Sequence, residues 1–163
     1  MLIDDNDIDN FINEKMIKSS SFSENVYTHT STTSALEFLK NLSTFQNLSE
    51  DLVPSYIFLD INMPILDGFH FLEEFQNLPY NFIPRIKIIM LTTSLNPCDL
   101  EKSKAYKNVV SFLYKPLIQI DLGKLDWTKI RNNNAHASSF VINTAQINFP
   151  THFFNSSFYY IQT

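Results

Sequence analysis

The sequence has little cysteine and no long apolar run. Its single cysteine, Cys98, cannot form a disulfide within the chain, which is typical of proteins in a reducing compartment. No apolar run approaches the roughly 18 residues that a membrane-spanning helix needs. The first residues also lack the basic and apolar segments of a secretory signal peptide. These absences predict a cytoplasmic protein that is not embedded in a membrane.

The chain also has no excess of basic residues and almost no glycine. Lys and Arg number 12 against 17 Asp and Glu, giving a formal net charge of −5. Because nucleic acid backbones are bound through Lys and Arg, we do not expect a nucleic acid partner. The two glycines, Gly68 and Gly123, cannot form a glycine-rich loop around a nucleotide phosphate. The length of 163 residues suits one domain with a substantial core.

Five short apolar runs alternate with amphipathic stretches over the first 130 residues. Each run is rich in Val, Ile, Phe or Tyr and bounded by polar residues, as strands buried in a parallel sheet are. The runs are Met1–Ile3, Val26–Thr30, Tyr56–Leu59, Lys87–Leu91 and Val109–Tyr114. Strict alternation of strands and helices predicts a doubly wound α/β sheet with right-handed crossovers.

The stretches between these runs carry the apolar spacing of helices. The predicted apolar faces are Ile8, Phe11, Ile12 and Met16; Ala35, Leu36, Leu39 and Leu42; Phe69, Leu72 and Phe75; and Leu122, Leu125 and Ile130. Asp7 is the predicted N-cap of the first helix. Asn96 followed by Pro97 predicts the start of a fourth helix that runs through Ala105.

Residues 131–163 differ in composition from the rest of the chain. Arg131 is their one formally charged side chain, and they are crowded with Asn, Ser, Thr, Phe and Tyr. Phe149–Pro150 and Phe158–Ile161 could form short strands or no regular structure. We therefore expect one domain over residues 1–130 and a C-terminal extension over 131–163 that holds no output domain. The exposed aromatic residues of such an extension would pack on the domain or mediate self-association.

Polar residues follow four of the predicted strands: Asp4 and Asp5, Asp60, Thr92 and Thr93, and Lys115 with Pro116. Because the carboxyl ends of parallel strands meet at one edge, we expect these groups to gather there. Three carboxylates without a counter-ion repel one another, and a cation that prefers oxygen ligands, such as Mg²⁺, removes that conflict. An ionised Asp60 beside Lys115 could then act as a nucleophile toward a phosphoryl group.

Four segments, in this order and at this spacing, resemble the response regulator receiver domain of two-component signal transduction, single-domain type. They are LIDDN at 2–6, FLDINMPILDG at 58–68, MLTTS at 90–94 and FLYKPL at 112–117. The resemblance covers about residues 1–130. It implies a flavodoxin-like, CheY-like α/β/α sandwich whose five parallel strands have the order 2-1-3-4-5. It also implies a signalling domain, not an enzyme with a separate substrate, which catalyses only its own phosphorylation and dephosphorylation.

The same resemblance assigns a metal site and a phosphoacceptor. Asp60 would receive the phosphoryl group from a sensor histidine kinase or a phosphotransfer protein. Asp5 would bind Mg²⁺ directly, Asp4 mainly through water, and Asn62 through its backbone carbonyl. A phosphorelay domain of this kind would signal by a conformational change to a protein partner.

The resemblance further implies how the phosphoryl group is held and detected. Thr92 would hydrogen-bond the phosphoryl group and Lys115 would form an ion pair with it. Phe112 would be the aromatic switch residue. The peptide bond before Pro116 would be cis, which local energetics permit because X–Pro bonds have only a small trans preference.

Three other functions fit the sequence less well. Phosphohydrolases of the haloacid dehalogenase type also use an aspartate nucleophile, but theirs comes first and a second Asp follows two residues later. Here the acidic pair comes first and Asn62 occupies the later position. A flavodoxin-like cofactor binder is disfavoured by the scarcity of glycine. The intact set of acidic residues argues against a degenerate receiver that acts only as an interaction module.

Overall fold

The computed structural model describes residues 1–45, 48–93, 96–124 and 141–142 of the chain. Strands and helices alternate along it. The elements are β1 (Leu2–Ile3), α1 (Asp7–Ser19), β2 (Thr28–His29), α2 (Thr32–Leu42), β3 (Tyr56–Asp60), α3 (Gly68–Gln76), β4 (Lys87–Thr92), α4 (Pro97–Ser103), β5 (Val109–Tyr114), α5 (Gln119–Lys124) and β6 (Val141–Ile142). None of the helices in these ranges has the length and apolar character needed to cross a membrane.

The strands form one parallel sheet in the order β2-β1-β3-β4-β5-β6. The predicted order 2-1-3-4-5 is confirmed for the first five strands. The sixth strand was not predicted: it pairs with the outer edge of β5, with Val141 opposite Ser111 and Ile142 opposite Phe112. Two apolar residues are too few for a periodic pattern to identify a strand. The segments Phe149–Pro150 and Phe158–Ile161 lie outside the described residues.

Two hydrophobic clusters cover the two faces of the sheet. Along β3, Ile57 and Leu59 belong to the cluster that includes α2 and α3, whereas Phe58 belongs to the other. Ile17 of α1 and Leu122 of α5 lie in the cluster with Phe58. Because side chains of a strand alternate between faces, both faces are buried and the domain has three layers. The predicted α/β/α sandwich is confirmed.

The predicted apolar faces of the second and third helices are buried in the structure. They consist of Ala35, Leu36, Leu39, Leu42, Phe69, Leu72 and Phe75. The start of α4 also follows the prediction, since the side chain of Asn96 accepts a hydrogen bond of 3.0 Å from the amide of Cys98 and Pro97 occupies the first turn. The helix ends at Ser103, two residues before the predicted Ala105. Leu125 and Ile130 of the predicted fifth helix lie outside the described residues.

The predicted cap of the first helix is wrong, and of its predicted apolar face only Met16 is partly buried and packs against the cluster with Phe58. Asn6, not Asp7, is the N-cap, and its side chain accepts hydrogen bonds from the amides of Ile8 and Asp9. Ile8, Phe11 and Ile12 are exposed by 69, 60 and 43%.

The buried face of α1 is instead formed by Asn10, Asn13 and Ile17. Asn10 donates a hydrogen bond of 2.7 Å to the backbone carbonyl of Asp4, just beyond the end of β1. A buried amide side chain is tolerated where such a partner is available. The helix therefore turns a polar face toward the carboxyl end of the sheet, which apolar periodicity could not indicate.

Candidate functional site

Three carboxylates meet where β1 and β3 end. One side-chain oxygen each of Asp4, Asp5 and Asp60 lies within 4.8 Å of the other two. Asp4 and Asp60 are buried, whereas Asp5 is exposed. Because β1 and β3 are neighbours in the sheet, the acidic pair and Asp60 converge despite their separation in sequence. Clustered carboxylate oxygens with one side open to water fit a hard divalent cation such as Mg²⁺.

Lys115, which follows β5, places its ammonium group among these carboxylates. Its Nζ lies 2.6 Å from Oδ2 of Asp4 and 3.0 Å from Oδ2 of Asp60. The side chain is only 8% exposed. Burial by itself lowers the pKa of Lys115, but hydrogen bonds and charge attraction from Asp4 and Asp60 outweigh it and raise the pKa above its usual value. The neighbouring carboxylates therefore favour the charged form of Lys115.

Asp4 is the carboxylate most affected by burial. Loss of solvent raises its pKa, while hydrogen bonds from Lys115 and from the amide of Asn6, at 3.1 Å, act in the opposite direction. The net effect is a raised pKa. Keeping Asp4 ionised thus depends on the positive charge beside it.

A tight loop after β3 holds Asp60 in place. The amide of Gly68 donates a hydrogen bond of 3.0 Å to the carbonyl of Ile61, and the amide of Asn62 donates one of 3.3 Å to Oδ1 of Asp60. A Cβ atom at Gly68 would overlap the backbone carbonyl of Asp60. The side chain of Asn62 is exposed. Only glycine therefore permits the start of α3 to lie so close to the end of β3.

Thr92, Phe112 and Pro116 lie on or beside the strands that surround this cluster. Thr92 ends β4 with its side chain fully buried, and its carbonyl accepts a hydrogen bond of 2.9 Å from the amide of Lys115. Phe112 is buried in the cluster on the α2 and α3 face, opposite Met90 in the β4–β5 register. The peptide bond between Lys115 and Pro116 is cis. The roles of Thr92 and Phe112 in signalling stay predictions.

Sequence reasoning missed two residues beside the site. Asp9 lies in the first turn of α1 with its Oδ2 3.1 Å from Nζ of Lys115. Asn10 binds the carbonyl of Asp4, as described above. With Asn6 identified as the N-cap, both would have been assigned to the helical turn that follows the acidic pair. Polar residues in that turn are the signal that could have indicated them.

Comparison with known proteins identifies the family. The family model of the response regulator receiver domain matches residues 1–125. This chain belongs to the response regulator receiver family. A solved two-component response regulator from Cytophaga hutchinsonii is 31% identical, with a TM-score of 0.69, and the match covers 80% of this chain and 94% of that one.

Response regulator Rcp1 from Synechocystis sp. is a curated relative of this receiver chain. It is 28% identical over 100 residues, which are 61% of this chain and 65% of Rcp1. The solved Mn²⁺-bound form of Rcp1 matches with 26% identity and a TM-score of 0.57, over 80% of this chain and 86% of that one. The solved phosphorylated cyanobacterial phytochrome response regulator RcpA matches with 25% identity and a TM-score of 0.58, over the same 80% and 86%.

Proposed function

We propose that this receiver domain takes a phosphoryl group onto Asp60 from a sensor histidine kinase or a phosphotransfer protein, with Mg²⁺ bound at the acidic cluster. The observation that carries the proposal is the buried Asp60 carboxylate, which lies both in the acidic cluster and 3.0 Å from Lys115. A carboxylate in this setting can act as a nucleophile at phosphorus while a fixed cation faces the incoming charge.

The metal-binding residues in this proposal are Asp4, Asp5, Asp60 and the backbone carbonyl of Asn62. A bound Mg²⁺ would supply positive charge that offsets the charge of the transferring phosphoryl group. The exposed Asp5 gives such an ion an open approach, and the buried Asp4 supplies fixed charge behind it. The solved Mn²⁺-bound form of Rcp1 supports the binding of a divalent cation by this domain.

In the proposed reaction, a side-chain oxygen of Asp60 attacks phosphorus and the bond from phosphorus to the donor's histidine nitrogen breaks. The imidazole leaves with the electron pair, and Asp60 becomes an aspartyl phosphate. Lys115 would pair with a phosphoryl oxygen, since its raised pKa keeps it charged. The hydroxyl of Thr92 would donate a hydrogen bond to another. The phosphorylated state of RcpA supports this chemistry.

Phe112 would couple phosphorylation of Asp60 to the binding of a protein partner. The Thr92 hydroxyl would move toward the phosphoryl group and leave space beside β5. The Phe112 ring would enter that space. This movement would change the surface formed by α4, β5 and α5, to which a protein partner would bind. We further propose that the receiver domain spans residues 1–130, is followed by a C-terminal extension over 131–163, and is cytoplasmic. The domain would catalyse only its own phosphorylation and dephosphorylation.

The test uses a small phosphodonor such as acetyl phosphate. Wild type, Asp60→Asn and Asp99→Asn are incubated with donor and Mg²⁺, and base-labile, acid-stable phosphate is measured. Asp99 is a matched control because it is an aspartate in the first turn of α4 and belongs to neither the acidic cluster nor the Lys115 contacts. Wild type and Asp99→Asn should be labelled, and Asp60→Asn should not. Equal labelling of all three would refute the proposal.

A further inference from the structure

Lys115 is shared by three carboxylates, and one of them stands apart from the others. Two belong to Asp4 and Asp60, which are members of the acidic cluster. The third belongs to Asp9, whose Oδ2 accepts a hydrogen bond of 3.1 Å from Lys115. Asp9 reaches the ammonium group from α1, and it is not a member of the cluster that would hold the metal.

The three carboxylates can occupy every hydrogen-bond donor of the Lys115 ammonium group. An ammonium group has three N–H bonds and no acceptor, so three carboxylates can use all of its donors. A phosphoryl group on Asp60 adds new anionic oxygens that require a donor from the same group. Bound Mg²⁺ would offset the charge of Asp4 and Asp60, whereas Asp9, outside the cluster, would still attract Lys115.

Asp9 is only partly exposed to solvent and lies beside an open cavity. Its side chain is 33% exposed, and with Ile12, Asn13 and Thr93 it lines a cavity of about 200 Å³ that opens beside Lys115 and Pro116. The cavity leaves room for a substitution at Asp9 without disturbing the core. The partial exposure also limits the energy of the contact, because solvent screens charge.

We propose that Asp9 is a positioning residue that competes with the phosphoryl group for Lys115. This inference rests on the proposed function. In the unphosphorylated protein, Asp9 holds the ammonium group toward α1. In the phosphorylated protein, its charge opposes the ion pair between Lys115 and the phosphoryl oxygens. Asp9 therefore lowers the stability of the phosphorylated state without contacting the reacting atoms.

The test measures the affinity of beryllofluoride, a phosphoryl mimic, by calorimetry at saturating Mg²⁺. Asp9→Asn keeps the shape of the side chain but removes its charge, and it should tighten binding by about three- to fivefold, the scale of a partly exposed ion pair. Asp9→Glu restores the charge and should return the affinity to within about twofold of wild type. A purely structural role would not follow the charge in this way.

Asp7→Asn is the matched control, since Asp7 is also acidic in the first turn of α1 but is exposed and is not one of the three carboxylates at Lys115. It should bind beryllofluoride as wild type does. If Asp9→Asn bound no more tightly than Asp7→Asn, the inference would be overturned while the proposed function stood. If wild type itself failed to bind beryllofluoride with Mg²⁺, the proposed function would fail and this inference with it.

Discussion

The carboxylate of Asp60 and the ammonium group of Lys115 lie 3.0 Å apart although β4 separates the strands that carry them. Asp60 ends β3 and Lys115 directly follows β5, so both side chains lie at the carboxyl edge of the sheet and meet near the end of β4. The amide of Lys115 is fixed there by its hydrogen bond to the carbonyl of Thr92, the last residue of β4. Strand β4 therefore sets the distance between the charges of Asp60 and Lys115.

Removal of Lys115 should destabilise the metal-free protein more than the metal-bound one. Lys115→Ala leaves the buried carboxylates of Asp4 and Asp60 without their cation, a loss of about 3 kcal/mol in the free energy of unfolding. Bound Mg²⁺ would replace part of that positive charge. The free energy of unfolding is measured by urea denaturation in EDTA and in excess Mg²⁺. The decrease caused by Lys115→Ala should be smaller in Mg²⁺ than in EDTA.

Lys104→Ala is the control for this measurement, because Lys104 pairs with Glu101 at the surface. Lys104→Ala should lower the free energy of unfolding by less than about 1 kcal/mol, both in EDTA and in excess Mg²⁺. Equal losses for Lys115→Ala with and without Mg²⁺ would show that the ammonium group does not offset charge at a metal site.

The two glycines should respond oppositely to alanine. Gly68→Ala places a Cβ against the backbone carbonyl of Asp60, so the loop after β3 must shift. We expect lower stability and slower phosphorylation by acetyl phosphate. Gly123→Ala adds a Cβ in α5 that, outside the helix's own backbone, meets no atom within 4 Å in the described part of the chain, so alanine should raise stability by about 0.5–1 kcal/mol. Unchanged phosphorylation of Gly68→Ala would contradict the close packing at Asp60.

Most of the sheet could be predicted from local sequence because its strands are buried on both faces. The predicted bounds of β5 agree with the structure, and β3 and β4 each extend one residue further, into Asp60 and Thr92. Each of these two strands ends on a polar residue that an apolar pattern leaves out. The shorter edge strand, Thr28–His29, lies inside the wider predicted run.

The surroundings of Lys115 could be predicted only in part. Strand topology brings Asp4 and Asp60 to it, so their convergence follows from the fold. Its contact with Asp9 joins residues 106 positions apart and depends on the rotation of α1 about its axis. In that rotation Asn10 donates a buried hydrogen bond to the carbonyl of Asp4, a contact that apolar spacing does not encode.

Phe112→Ala should separate phosphorylation from signalling. We expect phosphorylation of Asp60 to proceed nearly as in wild type, because Phe112 is buried in a hydrophobic cluster and is not one of the charged groups at Asp60. Binding of a partner, or self-association, should lose most of its response to beryllofluoride. The measurement is the ratio of the two affinities, with and without the mimic.

Leu113→Ala is the control for the switch, since Leu113 is the next residue of β5 and packs in the cluster on the opposite face. Both variants should lose stability, by about 2–5 kcal/mol, as buried large-to-small changes do. Only Phe112→Ala should lose the effect of beryllofluoride on partner binding or self-association. A full wild-type ratio in Phe112→Ala would make Phe112 an ordinary core residue.

His29 should make the protein less stable in mild acid. Burial, followed by the charge of the chain's amino terminus, lowers its pKa from the usual 6.5. The unfolded chain therefore binds the proton more readily, so the stability that His29 contributes is complete above pH 6.5 and is lost as the pH falls through its folded pKa. His29→Gln should reduce the loss of unfolding free energy between about pH 7.5 and 5. An equal loss in wild type and His29→Gln would contradict the assignment.

The residue that carries the phosphoryl group can be identified directly by chemical reduction. After reaction with acetyl phosphate and Mg²⁺, sodium borohydride reduces an aspartyl phosphate to homoserine, which peptide mass spectrometry can locate. We expect homoserine at position 60 in wild type, and none there in EDTA or without the phosphodonor. Homoserine at another aspartate, or stable phosphate on a residue other than Asp60, would contradict the proposed phosphorylation of Asp60.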